Sequence, residues 1–161
     1  MRETEKIFYI RESLSDNLVP SRMPKKPFSS RKKLTRQELR DLDVEISFLE
    51  GIIRRDSDYV EALQILGDAY TRRGEFSEGL KVDEQLARLR PDDALVHYNL
   101  ACSYSLTDHI QEAGASLERA LELGYRDFKW IVADPDLRNL RAHTSYRKIR
   151  AKLRELKLQT R

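Results

Sequence analysis

The residues that could do catalytic or metal chemistry are few and widely spaced. His97, His109 and His143 lie 12 and 34 residues apart, which is not a metal-ligand spacing, and Cys102 is the single cysteine. No glycine-rich phosphate loop and no nucleophile-elbow motif occurs. The sequence therefore predicts no enzyme: no catalytic residues, no cofactor and no metal site.

The charged residues could also bind a partner, and they are unevenly distributed along the chain. Residues 1–36 hold ten Lys/Arg against four Asp/Glu, residues 37–136 hold eleven against twenty-two, and residues 137–161 hold nine against one. An acidic body thus lies between two basic ends. Cationic blocks of this kind indicate a polyanion such as nucleic acid, and the alternative is that they pair with the acidic body or keep it soluble.

The amino-acid composition limits the class of protein to which these charged residues belong. The 161 residues are 40% hydrophobic and 35% charged, with 6 Gly and 5 Pro, which is typical of one helix-rich domain. No apolar run approaches the roughly 20 residues of a membrane span, and the start of the chain does not resemble a signal peptide. With a lone cysteine, the expected compartment is the cytoplasm.

The first 34 residues are expected to form an extended basic arm. Pro, Ser and basic residues dominate its second half, which cannot bury enough apolar surface to offset the entropy of ordering. A short apolar segment, residues 7–10 (Ile-Phe-Tyr-Ile), precedes this stretch. The candidate polyanion-binding residues here are Arg22, Lys25, Lys26, Arg31, Lys32, Lys33 and Arg36.

Helix signals follow one another from Thr35 onward. Thr35 and Glu38 have capping-box spacing, and apolar residues then recur every three or four positions to about Arg55. Later stops and starts are expected at Gly74, at Pro91 followed by a cap from Asp92 or Asp93, and at Gly124. No segment shows the alternation of a strand, so the fold class is all-α.

Residues also recur at a step of 34, which indicates an internal repeat. The aligned pairs are Leu66/Leu100, Gly67/Ala101, Tyr70/Tyr104 and Gly79/Ala113. This pattern resembles the tetratricopeptide repeat (TPR) family, in which each unit is a helical hairpin. The resemblance covers about residues 37–127, and residues 123–141 are similar to the closing segment of some prokaryotic arrays of this family.

The resemblance implies a right-handed solenoid of about two and a half repeats over residues 35–158. Its parts would be a half repeat (35–55), two repeats (58–91 and 92–125), a terminal segment (126–141) and a basic capping helix (144–158) that begins at a Thr144 cap. Asp83 stands where the family has a large residue and Leu86 where it has a small one. We therefore expect a slightly rotated helix in which Val82 and Ala87 exchange roles with them.

The family binds peptides on the concave face that its first helices line. The positions that correspond here are Glu61, Gln64, Asp68, Thr71, Tyr98, Asn99 and Cys102. Two carboxylates would repel an acidic tail and favour a neutral or basic segment whose apolar side chain rests on Tyr98. Cys102 is expected to be a small half-buried residue rather than a reactive thiol, because no cation lies close in sequence. The alternative is that two repeats form too short a groove for any peptide.

The last predicted helix has an apolar stripe and an excess of basic residues. Tyr146, Ile149, Leu153 and Leu156 would cap the array, and a cap explains the stripe but not the charge. The basic candidates are Arg147, Lys148, Arg150, Lys152, Arg154 and Lys157.

The sequence thus favours a cytoplasmic, non-catalytic protein–protein interaction adaptor that docks within a larger assembly. The alternative is an RNA- or polyanion-binding protein that uses the arm and the last helix. Homo-oligomers through the N-terminal apolar segment are also left open.

Overall fold

The computed structural model of this protein describes residues 34–159 and is all-α over that range. The basic arm, with the apolar segment at 7–10 and every arm candidate except Arg36, lies outside the described residues, as do residues 160 and 161. The helices are α1 (Arg36–Ile53), α2 (Val60–Arg73), α3 (Phe76–Leu89), α4 (Ala94–Leu106), α5 (Ile110–Glu122), α6 (Phe128–Ala133), a 3-10 helix (Pro135–Leu137), α7 (Arg138–Ala142) and α8 (Tyr146–Gln159).

Local side chains start two of these helices as predicted. At α1 the Glu38 N–H donates to Thr35 Oγ1 (3.2 Å) and the Thr35 N–H donates to Glu38 Oε2 (2.7 Å), which is a complete capping box. At α4 Asp93 caps, accepting from the backbone N–H groups of Leu95 and Val96 at 2.8 and 3.2 Å.

The predicted Thr144 cap of the last helix is wrong. Helix α8 begins at Tyr146, because residues 143–145 form a turn in which the Tyr146 N–H donates to the His143 carbonyl at 3.2 Å. The Ser145 N–H donates to His143 Nδ1, also at 3.2 Å. This turn replaces a side-chain cap from Thr144.

Helix ends repeat at the 34-residue step. Gly74 ends α2 with φ 89°, and Asp108, 34 residues later, has φ 65° after α4. Beyond them the backbone N–H groups of Glu75 and His109 each donate to a tyrosine carbonyl at 2.9 Å, that of Tyr70 and Tyr104 respectively. The chain therefore closes both helices with the same turn, once with glycine and once with aspartate.

The same tyrosines make a second repeated contact. Tyr70 donates its hydroxyl to Glu50 Oε1 (2.7 Å), joining α2 to α1, and Tyr104 donates to Glu84 Oε1 (2.9 Å), joining α4 to α3. Both partners in the second bond lie 34 residues after those in the first. The 34-residue period is thus present in side-chain contacts as well as in the sequence.

Two apolar clusters form the core, one around α1, α2 and α3 and one around α4 to α8. The helical spacing predicts six buried residues: Leu66, Tyr70, Leu100, Tyr104, Leu117 and Leu121. All of them except Tyr104 are buried. Tyr104 is only half-buried, because its hydroxyl reaches out to Glu84 at the surface between α3 and α4.

The predicted rotation of α3 is confirmed only for Val82, which is buried at 8% exposure. Asp83 (7% exposed) and Leu86 (3% exposed) also face inward and Ala87 is only half-buried, so the exchange of roles is not complete. The Ser103 hydroxyl from α4 donates to Asp83 Oδ2 at 2.5 Å, which satisfies the buried carboxyl. The missing side chain of Gly67 makes room, since a Cβ there would lie 3.1 Å from Asp83 Oδ1.

The C-terminal elements close the second core. Tyr146, Ile149 and Leu153 of α8 are buried and Leu156 is half-buried, as the predicted stripe requires, and α8 packs against α5 and α7. Within the range that the structure describes, no helix is long and apolar enough to span a membrane.

Candidate binding surface on helices α2 and α4

The predicted groove residues lie on α2 and α4, with unequal access to solvent. The exposed members are Glu61 and Asp68; the half-buried members are Gln64, Thr71, Asn99 and Cys102; Tyr98 is buried. Polar groups therefore dominate what a partner would meet on these two helices.

Tyr98 does not form a resting surface for an apolar side chain, and that prediction is wrong. It is 3% exposed, its hydroxyl donates to Asp134 Oδ2 at 2.5 Å, and its ring stacks on Tyr125 with centroids 4.2 Å apart. The reason is that the segment after α5 packs onto α4, with Asp134 between α6 and the 3-10 helix, and covers the ring.

Cys102 is half-buried, as predicted, and its thiol is kept protonated. Its Sγ lies 3.7 Å from Asp134 Oδ2. Burial raises the pKa of Cys102 well above its usual value, and the negative charges of Asp134 and Asp136 add to the increase. A thiol in this environment is a poor nucleophile.

Asp134 is a structural centre that the sequence interpretation missed. It is 4% exposed and accepts from Tyr98, from Cys102 and from the Asp136 N–H (2.9 Å). Burial raises its pKa, although the hydrogen bond from Tyr98 opposes the shift. The sequence signal for it is the Asp134-Pro135-Asp136 turn, in which a proline stops the helix directly after Asp134.

Acidic side chains from three elements act on one another electrostatically. We call Asp68, Asp134 and Asp136 the acidic strip; they come from α2, the α6–3-10 junction and the 3-10 helix. Desolvation raises the pKa of Asp68, its Arg72 partner at 3.5 Å opposes the shift, and the charge of Asp136 adds to it. The two carboxylates are therefore close enough to interact, and the surface between them is negative.

The basic candidates on α8 divide into two groups. Lys152 donates to Glu122 Oε1 at 2.9 Å, and the Lys157 ammonium lies 5.9 Å from the centre of the Phe128 ring. The remaining four are exposed and form no ion pair with a carboxylate of the described range: Arg147, Lys148, Arg150 and Arg154. Internal pairing thus accounts for Lys152 but not for these four.

The described part of the chain contains no group of three or more His, Cys, Asp or Glu residues arranged to hold a metal ion.

No family model matches the chain. Over 91 residues it is 36% identical to a chloroplastic protein of Arabidopsis thaliana. The matched region is 55% of this chain and 26% of that protein, so the chain spans about a quarter of the length of this relative. The similarity therefore relates one part of a longer chloroplast protein to this chain.

Proposed function

We propose that this chain is a non-catalytic adaptor whose 34-residue units stack as TPR-like hairpins and dock a partner protein. The support for the repeat is the contact that recurs in it: the hydrogen bonds from Tyr70 to Glu50 and from Tyr104 to Glu84 have one geometry and one spacing. Repeated helical hairpins present their first helices on one face, which is the binding face of such solenoids.

The observation on which the docking proposal rests is the acidic strip. The charge of Asp136 acts on Asp68, and Asp134 and Asp136 both act on half-buried Cys102, whose Sγ lies 3.7 Å from Asp134 Oδ2. A negative surface of this kind favours a partner segment that presents Lys or Arg and disfavours an acidic tail. Glu61 on the same helix as Asp68 extends the negative surface by about two turns.

The partner and the compartment are part of the proposal. Cytoplasm remains our inference from cysteine usage, and the chloroplast named for the Arabidopsis relative is the alternative. In either compartment, we propose that the adaptor docks within a larger assembly rather than acting on a free substrate.

The test compares two double variants of the full chain. Asp68→Asn with Asp136→Asn removes two charges from the strip at nearly constant shape, whereas Glu112→Gln with Glu155→Gln removes two exposed charges elsewhere. Partners are captured quantitatively from an extract with and without nuclease, identified, and their basic segments synthesised for calorimetry. We expect the strip variant to weaken binding at least about tenfold, and the control to bind as the parent does. Equal binding by both variants would contradict the proposal.

The second candidate function is binding of RNA or another polyanion. The observation that favours it is the group of four exposed basic residues on α8 that have no carboxylate partner within residues 34–159. If about half of the thirteen basic candidates contact phosphates, log affinity should fall with log salt with a slope of about −4. Replacing Lys25, Lys26, Arg31, Lys32 and Lys33 by Ala should weaken RNA binding and flatten that slope while helicity is unchanged. No RNA affinity at low salt would remove this candidate.

A further inference from the structure

A cationic cavity lies between α7 and the start of α8. Its volume is about 290 Å³, roughly ten times the share of one water molecule in the liquid. The lining residues are Arg141, Ala142, His143, Thr144, Tyr146, Arg147 and Arg150. Three arginines thus line one small space, and no Asp or Glu of the described range is among the lining residues.

Several arginines elsewhere on the described surface have a carboxylate partner that the cavity arginines lack. Arg72, Arg73 and Arg119 each pair with a carboxylate at 3.6 Å or less. Between residues 34 and 159, neither Arg147 nor Arg150 forms such a pair, and Arg141 bonds to backbone carbonyls instead of a carboxylate. Guanidinium groups that repel one another in this way are stabilised when an anion enters between them.

Two of the lining side chains are held in position before any ligand arrives. Arg141 Nη1 donates to the carbonyls of Ile131 (3.2 Å) and Asp134, which fixes its guanidinium at the cavity. The Ser145 N–H donates to His143 Nδ1 at 3.2 Å, and Ser145 Oγ lies 2.9 Å from the same nitrogen, so two contacts with Ser145 fix the His143 ring among the lining residues. Preorganised donors lower the ordering cost of binding.

Tyr146 supplies an independent indication of a ligand. Its side chain is 9% exposed, and within the described range its hydroxyl oxygen is a buried polar atom that has no hydrogen-bond partner. Burial raises the pKa of the Tyr146 phenol, while the charges of Arg141 and Arg150 lower it. An unsatisfied buried hydroxyl is costly in a folded protein unless a water or a ligand completes it.

We propose that this cavity binds a phosphate monoester carried by a phosphorylated side chain of a protein partner, with Arg141, Arg147 and Arg150 pairing with its oxygens and Tyr146 donating its hydroxyl. Arginine forks match the oxygens of a phosphate, and a dianion neutralises two of the three charges. The site is separate from the acidic strip, and it rests on the proposed function only for the nature of the partner.

A protein phosphate fits the cavity better than an RNA strand does. Single-stranded RNA is bound along an open basic groove with aromatic rings on which bases stack. Among residues 34–159, the only aromatic ring besides His143 that lines the cavity is that of Tyr146, which is buried. The cavity therefore offers one anion site without a stacking surface.

The test uses the full chain and the probe N-acetyl-O-phosphoserine amide, followed by ¹H–¹⁵N spectra that include arginine side-chain N–H groups. Its unphosphorylated counterpart, inorganic phosphate and a mixed-sequence RNA are titrated in parallel. We expect saturable shifts at residues 141–150 with the phosphorylated probe and none with the unphosphorylated one. Arg150→Gln should weaken binding about tenfold and Tyr146→Phe about three- to tenfold, with no loss of folded signals in either.

Lys148→Gln is the matched control, because it removes one positive charge from the same helix outside the cavity lining. It should change the affinity for the phosphorylated probe less than about twofold. If Lys148→Gln lost as much affinity for the phosphorylated probe as Arg150→Gln does, the binding would be general electrostatic attraction, and the proposed site would be overturned. A second outcome would also overturn the phosphate site: no saturable binding of the phosphoserine probe, together with RNA binding that Lys148→Gln, Arg154→Gln and Arg150→Gln weaken equally. That result would indicate an RNA-binding surface instead.

The same titration on the Asp68→Asn, Asp136→Asn variant separates this inference from the proposed docking function. We expect unchanged affinity for the phosphorylated probe there, because the acidic strip does not line the cavity. Loss of partner binding without loss of the probe, or the reverse, shows which of the two surfaces has failed.

Discussion

Asp83 shows how one buried carboxyl group adapts to the inside of a helical protein. It lies between α3 and α4, 7% exposed, and its partner is the Ser103 hydroxyl. Burial raises its pKa from 3.8 to about 6, the hydrogen bond from Ser103 opposes the shift, and the charge of Asp68 adds to it. At neutral pH the protein therefore keeps a charge in its interior that costs folding free energy.

Replacing Asp83 by Asn should remove that cost. Because the folded state binds the proton more tightly than the unfolded state, the contribution of Asp83 to the free energy of unfolding falls as pH rises from about 4 to about 6. The loss by pH 7 is about 2 to 3 kcal/mol. We expect Asp83→Asn to be more stable than the parent at pH 7 and to lose this advantage near pH 4, as measured by urea unfolding across that range. A difference between the two proteins that does not vary with pH would contradict the raised pKa.

Tyr98 and Tyr104 allow a matched comparison of two tyrosine hydroxyls. Tyr98→Phe leaves the buried Asp134 with one donor fewer, whereas Tyr104→Phe removes a half-buried bond to Glu84, which can turn to water. We expect losses in the free energy of unfolding of about 1 to 3 kcal/mol for Tyr98→Phe and about 1 kcal/mol or less for Tyr104→Phe. Thermal or urea unfolding measures both, and equal losses would mean that Asp134 is satisfied without Tyr98.

At the scale of single helices, glycine has opposite roles at two positions. Gly74 ends α2 with φ 89°, a conformation that L-residues adopt at a cost, while Gly114 lies inside α5, where an added Cβ would meet Ile149 and Leu140 at 3.8 and 3.9 Å. Those two distances are ordinary van der Waals contacts, so the interior of α5 has room for a methyl group.

The same substitution should therefore have opposite effects at these two glycines. Gly74→Ala should lower the free energy of unfolding by about 1 kcal/mol or more, because the left-handed cap becomes strained. Gly114→Ala should raise it by about 0.5 to 1 kcal/mol, because alanine restricts the unfolded chain and fits the helix. Urea unfolding of the two variants tests both signs, and a destabilised Gly114→Ala would show that the contact between α5 and α8 has no room for the methyl group.

At the scale of the whole molecule, one face of α1 lacks a neighbour within residues 34–159. Val44 is 69% exposed and Phe48 is half-buried on that face. The apolar segment at residues 7–10 is tethered about 25 residues away, within reach of this face in the same chain or in a second copy. Its burial there stays a prediction, because the segment lies outside the described residues.

Deleting residues 1–19 should then lower the thermal midpoint or change the oligomeric state. The control is a full-length chain in which residues 7–10 are Ser, which keeps the basic arm and the length. Light scattering and thermal unfolding should show the same change in mass or thermal midpoint for the deletion variant and for the Ser variant. Identical melting and mass for all three chains would mean that the apolar segment serves recognition of another molecule or no purpose.

The sequence by itself determined the helices and their period, because the forces that set them act over a few residues. The capping box at Thr35, the Asp93 cap and the left-handed turn at Gly74 follow from side chains within four positions of the backbone that they satisfy. The buried leucines followed from helical spacing for the same reason. The predicted helix cap at Thr144 is wrong, because the choice between a side-chain cap and a turn at His143 depends on how α7 leads into α8.

Only the tertiary structure decided which polar side chains are buried and which remain available. Tyr98 pairs with Asp134 across 36 residues and Ser103 with Asp83 across 20, so no local pattern could show that these groups satisfy one another. Burial of a polar residue depends on a partner from another helix, because desolvation is tolerated only where a hydrogen bond replaces water. For that reason the sequence could not show that Tyr98 is buried and absent from the groove surface, or that Asp134 belongs to the acidic strip. It also could not show that the arginines near Tyr146 line one cavity.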